Sequence, residues 1–141
     1  MFKMTVAGAE PFEVSKECIK SARFTTDIPK DSNARTADVG TTLVVTGKIL
    51  TAVDGDPFDS TKKLAQWSTI PAEDSCYRSV IVENVRGGVV ERKYTLPNAF
   101  VVDYKEDFAD QSGVGTFTLK IKQKKDKIEN VLIEGGYPAA E

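Results

Sequence analysis

Between Thr116 and Lys122 every second residue is apolar: Phe117, Leu119 and Ile121 alternate with Thr116, Thr118, Lys120 and Lys122. Successive side chains of a β-strand point to opposite faces. This period therefore sets the three large residues on a buried face and the threonines and lysines on a wet one. Each buried apolar side chain contributes about 1.5–3 kcal/mol. A one-residue slip would expose all three, so the register is firmly specified. A strand with one dry and one wet face belongs to an antiparallel sheet packed over a core on one side.

Other segments follow the same logic by composition. Thr41 to Val53 is rich in β-branched residues and predicts one long or bent strand, with Gly47 marking a bulge. Tyr77 to Val85 and Val89 to Leu96 flank Arg86-Gly87-Gly88. Glycines accept the positive φ of a tight turn, so this reads as a hairpin. Ala99 to Tyr104 is nearly continuous in apolar residues and predicts a central strand. Phe2 to Val6, Ser21 to Asp27 and Asn130 to Glu134 complete the set.

One helix is predicted at about residues 59–69, with Asp59 or Ser60 as its cap and Pro71 beyond its end. Leu64 and Trp67 are three apart and share a face. A helix this short is marginal alone, so that face should dock on the sheet. Strands, one helix, then strands imply a mainly β fold: an antiparallel β-sandwich or small β-barrel with one short α-helix. No linker-like tract divides the 141 residues, so one domain over 1–141 is expected. Two stretches read as loops, Asp54 to Asp59 and the long polar run Ile28 to Val39. Long loops in compact domains are often functional.

The chain contains no histidine. That removes the commonest general base, Ser-His-Asp and Cys-His catalysis, and His-based zinc sites. No phosphate-loop or dinucleotide-binding glycine pattern occurs. Cys18 and Cys76 lie far apart and read as two reduced thiols, with a bridge left open. The net charge of −2 gives no global field for nucleic acid or an anionic membrane. Apolar runs are too short to span a bilayer, and the N-terminus lacks a signal-peptide pattern. Synthesis in the cytoplasm is expected, with secretion or injection open by a route that needs no signal peptide.

Two acidic clusters and one basic run were the remaining sources of chemistry. Asp54, Asp56 and Asp59 offer oxygens to a hard cation, but Phe58 and the missing glycine break the calcium-loop pattern. A solvated turn that caps the helix is the better reading, so no metal and no cofactor is expected. Glu106, Asp107 and Asp110 follow a strand with no sign of a cleft to perturb them. Lys120, Lys122, Lys124, Lys125 and Lys127 are diluted by Asp126 and Glu129, and no aromatic interleaves them for base stacking. They read as a wet strand face rather than a nucleic-acid site.

Three features read together: the polar loop Ile28 to Val39, the helix with Leu64 and Trp67, and the run from Lys93 to Phe108 leading into a threonine-rich strand. In that last stretch Ala99, Phe100, Val102, Tyr104, Phe108 and Thr116 to Ile121 form a pattern that resembles the haemolysin-coregulated (Hcp, or TssD) tube proteins of type VI secretion. These share a fold with phage tail-tube proteins. The similarity is best over Tyr94 to Lys122, and the ending Lys124 to Glu141 falls outside it. The resemblance implies a structural protein and not an enzyme. It implies self-association as a homo-hexameric ring that stacks into a hollow tube, with sheath, baseplate or cargo proteins as partners. It also implies a ring-stacking loop at Pro29, Lys30, Asp31, Ser32, Asn33 and Arg35. The alternatives are a small β-sandwich binding or adaptor module, and a carboxylate-dependent hydrolase using one of the acidic clusters.

Overall fold

The computed structural model of the chain describes residues 1–8, 10–27, 39–51, 53, 56, 59–73, 76–111 and 113–140. Along these residues run β1 (Phe2–Ala7), β2 (Phe12–Val14), β3 (Ile19–Asp27), β4 (Gly40–Ile49), the helix α1 (Ser60–Ser68), β5 (Arg78–Arg86), β6 (Val89–Asp107) and β7 (Gly115–Gln123). A 3₁₀ segment, Lys125–Asn130, then leads to β8 (Leu132–Glu134) and β9 (Tyr137–Pro138). The described strands form one sheet in the order β2-β1-β5-β6-β7-β4-β3, with β8 and β9 also on β6. Every pairing in it is antiparallel.

The sheet is rolled. In the pairing path β3 stands three places from β6, which in a flat sheet is about 14 Å. Yet Phe24 of β3 stacks on Tyr94 of β6 with ring centroids 4.6 Å apart. The expected antiparallel sandwich or small barrel with one short helix thus takes the form of a single sheet curled over its own core. Phe117, Leu119 and Ile121 lie in that core at 0–1% exposure, as their alternation requires. They face Gly47, Val45 and Leu43 of β4 in register.

Gly47 earns its place by close approach. A Cβ there would lie 1.8 Å from the Cys18 carbonyl oxygen and 2.9 Å from the Phe117 ring. The same carbonyl accepts a hydrogen bond from Lys48 N at 2.8 Å. The bulge expected at Gly47 sits on the facing strand, where pairing shifts between Ile19 and Ser21. In the β5–β6 hairpin, Gly87 and Gly88 have φ of 61° and 77°. Positive φ at both central residues is what a two-residue type I′ turn demands.

Two expectations need correction. The break foreseen between Leu96 and Ala99 is absent, and β6 runs for 19 residues through Pro97. Proline has no N–H to donate, so it is tolerated where the ladder is already irregular. Here the pairing shifts between Val80–Leu96 and Arg78–Ala99. Asn98 then donates its N–H to Gln123 Oε1 at 2.8 Å, and its carbonyl accepts from Lys124 N at 2.9 Å. The second correction is the helix cap. Asp59 has φ 51° and makes no side-chain cap, and Ser60 already lies inside α1.

The face of α1 carrying Leu64 and Trp67 is buried, at 0% and 2% exposure. Trp67 Nε1 donates to the Cys76 carbonyl at 2.8 Å, which ties the helix to the segment entering β5.

Candidate self-assembly surfaces

Asp56 is the cap that the sequence placed three residues too late. Its carboxylate is fully buried. Asp56 Oδ2 accepts from Ser60 N at 2.8 Å, from Ser60 Oγ at 2.7 Å and from Cys18 Sγ at 3.7 Å. Ser60 Oγ in turn accepts from Ser15 N at 3.2 Å. A negative charge against the exposed N–H groups of a helix start is electrostatically favourable. Burial first, then the Asp56 charge, pushes the Cys18 thiol up to about 11. The group therefore joins β2, the start of β3 and α1 around a neutral thiol, with no activated nucleophile. Asp59 donates its N–H to the Asp56 carbonyl at 3.0 Å but its side chain makes no cap, and Asp54 lies outside the described residues.

The other acidic cluster surrounds no cleft. Glu106, Asp107 and Asp110 are exposed at the tip of the β6–β7 hairpin, beside Phe108. Tyr104 OH donates to Glu106 Oε1 at 3.1 Å. Burial, with the Glu106 charge, pushes the Tyr104 phenol well above its ordinary range. Two lysines of the basic run are ion-paired, Lys122 with the distant Asp27 at 3.1 Å and Lys124 with its neighbour Asp126 at 3.8 Å. Cys18 and Cys76 are free and buried.

The residues singled out for ring stacking, Pro29, Lys30, Asp31, Ser32, Asn33 and Arg35, lie outside the described residues. What precedes and follows them is fixed. Asp27 and Gly40 are paired, so the segment leaves and returns at the same rung of the β3–β4 hairpin. Lys122 Nζ and Thr42 Oγ1 both donate to Asp27 Oδ2, at 3.1 and 3.2 Å. The lysine contact holds the Asp27 carboxyl below its ordinary range.

Sheet edges are the surfaces this fold leaves available. Among the described residues β3 pairs only with β4 and β2 only with β1. The edge of β3 carries exposed Lys20 and Arg23, polar guards against uncontrolled pairing. The chain's own tail covers another edge: the strand expected at Asn130 to Glu134 is β8, and β9 follows it as one the sequence did not announce. β8 and β9 lie along β6, with Gly136 N on the Val90 carbonyl at 2.7 Å and Ala139 N on the Gly88 carbonyl at 2.8 Å. Gly135 makes the close approach possible, since a Cβ there would meet the Glu91 carbonyl oxygen at 2.1 Å. Leu132 and Ile133, on opposite faces of this edge, are both more than half exposed, at 53% and 55%.

No protein-family profile and no curated protein sequence matches the chain. Solved structures do. Hcp1 from Flavobacterium johnsoniae superimposes with a TM-score of 0.59 at 16% identity, over 98% of both chains. A chain of the six-fold symmetrised anti-feeding prophage baseplate gives 0.57 at 14% identity, over 95% of this chain and 92% of that one. A chain of the sheath-tube complex of an extracellular contractile injection system gives 0.54 at 12%, over 96% and 88%. The fold foreseen from the Tyr94–Lys122 pattern is therefore the one found, and it extends over the tail that the pattern did not reach.

Proposed function

We propose that this chain is a structural subunit of a contractile injection or phage-tail-like apparatus, acting as one unit over residues 1–141. Copies would close into a ring, a hexamer by likeness to the resemblance family, and rings would stack as a hollow tube. The observation that carries the reading is the end-to-end likeness to Hcp1 and to chains of two injection assemblies. Open strand edges support it, because a ring needs head-to-tail contacts between two different surfaces of each copy. Pro29, Lys30, Asp31, Ser32, Asn33 and Arg35 are the proposed contact between rings. Sheath or baseplate proteins would be the outer partners, and export would follow assembly of the apparatus. No described helix is long and apolar enough to cross a membrane. The test is negative-stain imaging of the purified chain at rising concentration. Rings, and stacks of rings, are expected, and a uniform field of monomer-sized particles would contradict the reading.

A further inference from the structure

A cleft of about 340 Å³ opens beside α1, with Phe12, Trp67 and Ile70 as its apolar floor and Glu10, Lys63, Gln66 and Arg78 around them. That is the low end of the size range for specific pockets, suited to a single large side chain. Two cations stand over its aromatic walls. The Arg78 guanidinium lies 5.5 Å from the Trp67 ring centre, and Lys63 Nζ lies 5.8 Å from that of Phe12. Neither forms an ion pair among the described residues. Arg78 is partly desolvated, which lowers its pKa, and Glu10 opposes this only from a distance. A half-buried guanidinium without a close carboxylate favours an incoming anion.

The complement is on the same molecule. Phe108 at the β6–β7 tip is 71% exposed. Its ring is propped outward against Gly115, where a Cβ would come within 2.5 Å of it. Glu106, Asp107 and Asp110 surround it, and none is ion-paired among the described residues. Three carboxylates on the tip thus oppose a cleft where two cations outweigh the single Glu10. In its own chain the tip stands well away from the Arg78 side of the cleft. Arg78 is paired to Ala99, and Phe108 lies nine residues further along, roughly 30 Å of extended strand.

We propose that Phe108, with Glu106, Asp107 and Asp110 around it, inserts into the Phe12–Trp67–Ile70 cleft of a second copy, where Lys63 and Arg78 pair with the carboxylates. The aromatic anchor is central and the charges form its rim, the usual anatomy of a strong contact. Tip and cleft are different surfaces, so the contact runs head to tail and propagates or closes. It rests on the tube reading only in requiring that copies of this chain meet.

Sedimentation velocity across a concentration series tests it with full-length Phe108→Ala and Lys63→Glu, both at positions outside the buried core. Each alone should raise the concentration for half-assembly tenfold or more. Mixed together they retain one intact tip and one intact cleft, and a one-to-one heterodimer should appear. Adding Asp107→Lys to Lys63→Glu should recover assembly. Both single variants assembling like the parent chain would overturn the contact and leave the tube reading standing. A parent chain that stays monomeric throughout would overturn both.

Discussion

Replacing Asp56 with alanine removes the carboxylate that holds α1 onto β2 and β3. Ser60 N and Ser60 Oγ lose their acceptor at 2.8 and 2.7 Å, and Cys18 Sγ loses its own at 3.7 Å. Loss of a helix cap costs about 1 kcal/mol, and each buried donor left unsatisfied costs about 1–3 kcal/mol. Against this, Asp56 Oδ1 is buried without a partner, so its removal returns part of the desolvation cost. The net loss should be about 3–5 kcal/mol. For 141 residues that lowers Tm by about 10–17 °C, from a typical unfolding entropy of about 2.1 cal/mol/K per residue. Asp56→Asn keeps one acceptor and should cost about half as much. Calorimetry with and without millimolar calcium makes the measurement. The cap reading predicts that calcium changes neither the parent nor the variants. A drop below about 1 kcal/mol, or a parent Tm that climbs with calcium by linkage, would refute it.

Three further outcomes follow from the same geometry. Gly47→Ala drives a Cβ into the Cys18 carbonyl oxygen at 1.8 Å, backbone that cannot swing aside. It should cost about 3 kcal/mol or more in urea unfolding, and a loss under about 1 kcal/mol would show the approach to be looser. Cys18 titrates near 11 in the folded chain against an ordinary 9.0. A raised thiol pKa favours the protonated folded form, so its contribution is full below pH 9 and disappears as pH rises through about 11. Stability should fall over that window in the parent and less so in Cys18→Ala, and equal slopes would contradict this. Removing residues 30–38 should weaken stacking of rings and leave the circular-dichroism spectrum and melt unchanged. Unaltered stacks by electron microscopy would sink the role given to that loop.

What could be read from the sequence was whatever is periodic or local. The alternation at Phe117, Leu119 and Ile121 specifies its own burial, and a Gly-Gly pair between β-branched runs specifies a hairpin. Leu64 and Trp67 specify a docked helix face. What escaped depends on residues distant in the chain. β2 is three residues long and exists because β1 offers it an edge, so no window of its own reveals it. The passage of β6 through Pro97 needs Gln123 to supply the acceptor that Asn98 uses. Asp56 lies too far before α1 for a standard cap position, and only the αL turn at Asp59 brings it back. The tip and the cleft are each unremarkable as sequence, a phenylalanine among acids and two cations apart in the chain. Their complementarity appears only when β2, α1 and β5 meet.

The central claim is that this chain works by meeting copies of itself. Mass measurement in solution across a wide concentration range tests that most directly. A concentration-dependent shift from monomer to a closed ring of defined stoichiometry, six under the proposed function, is the expected result. A single monomer mass at every concentration and ionic strength would contradict it.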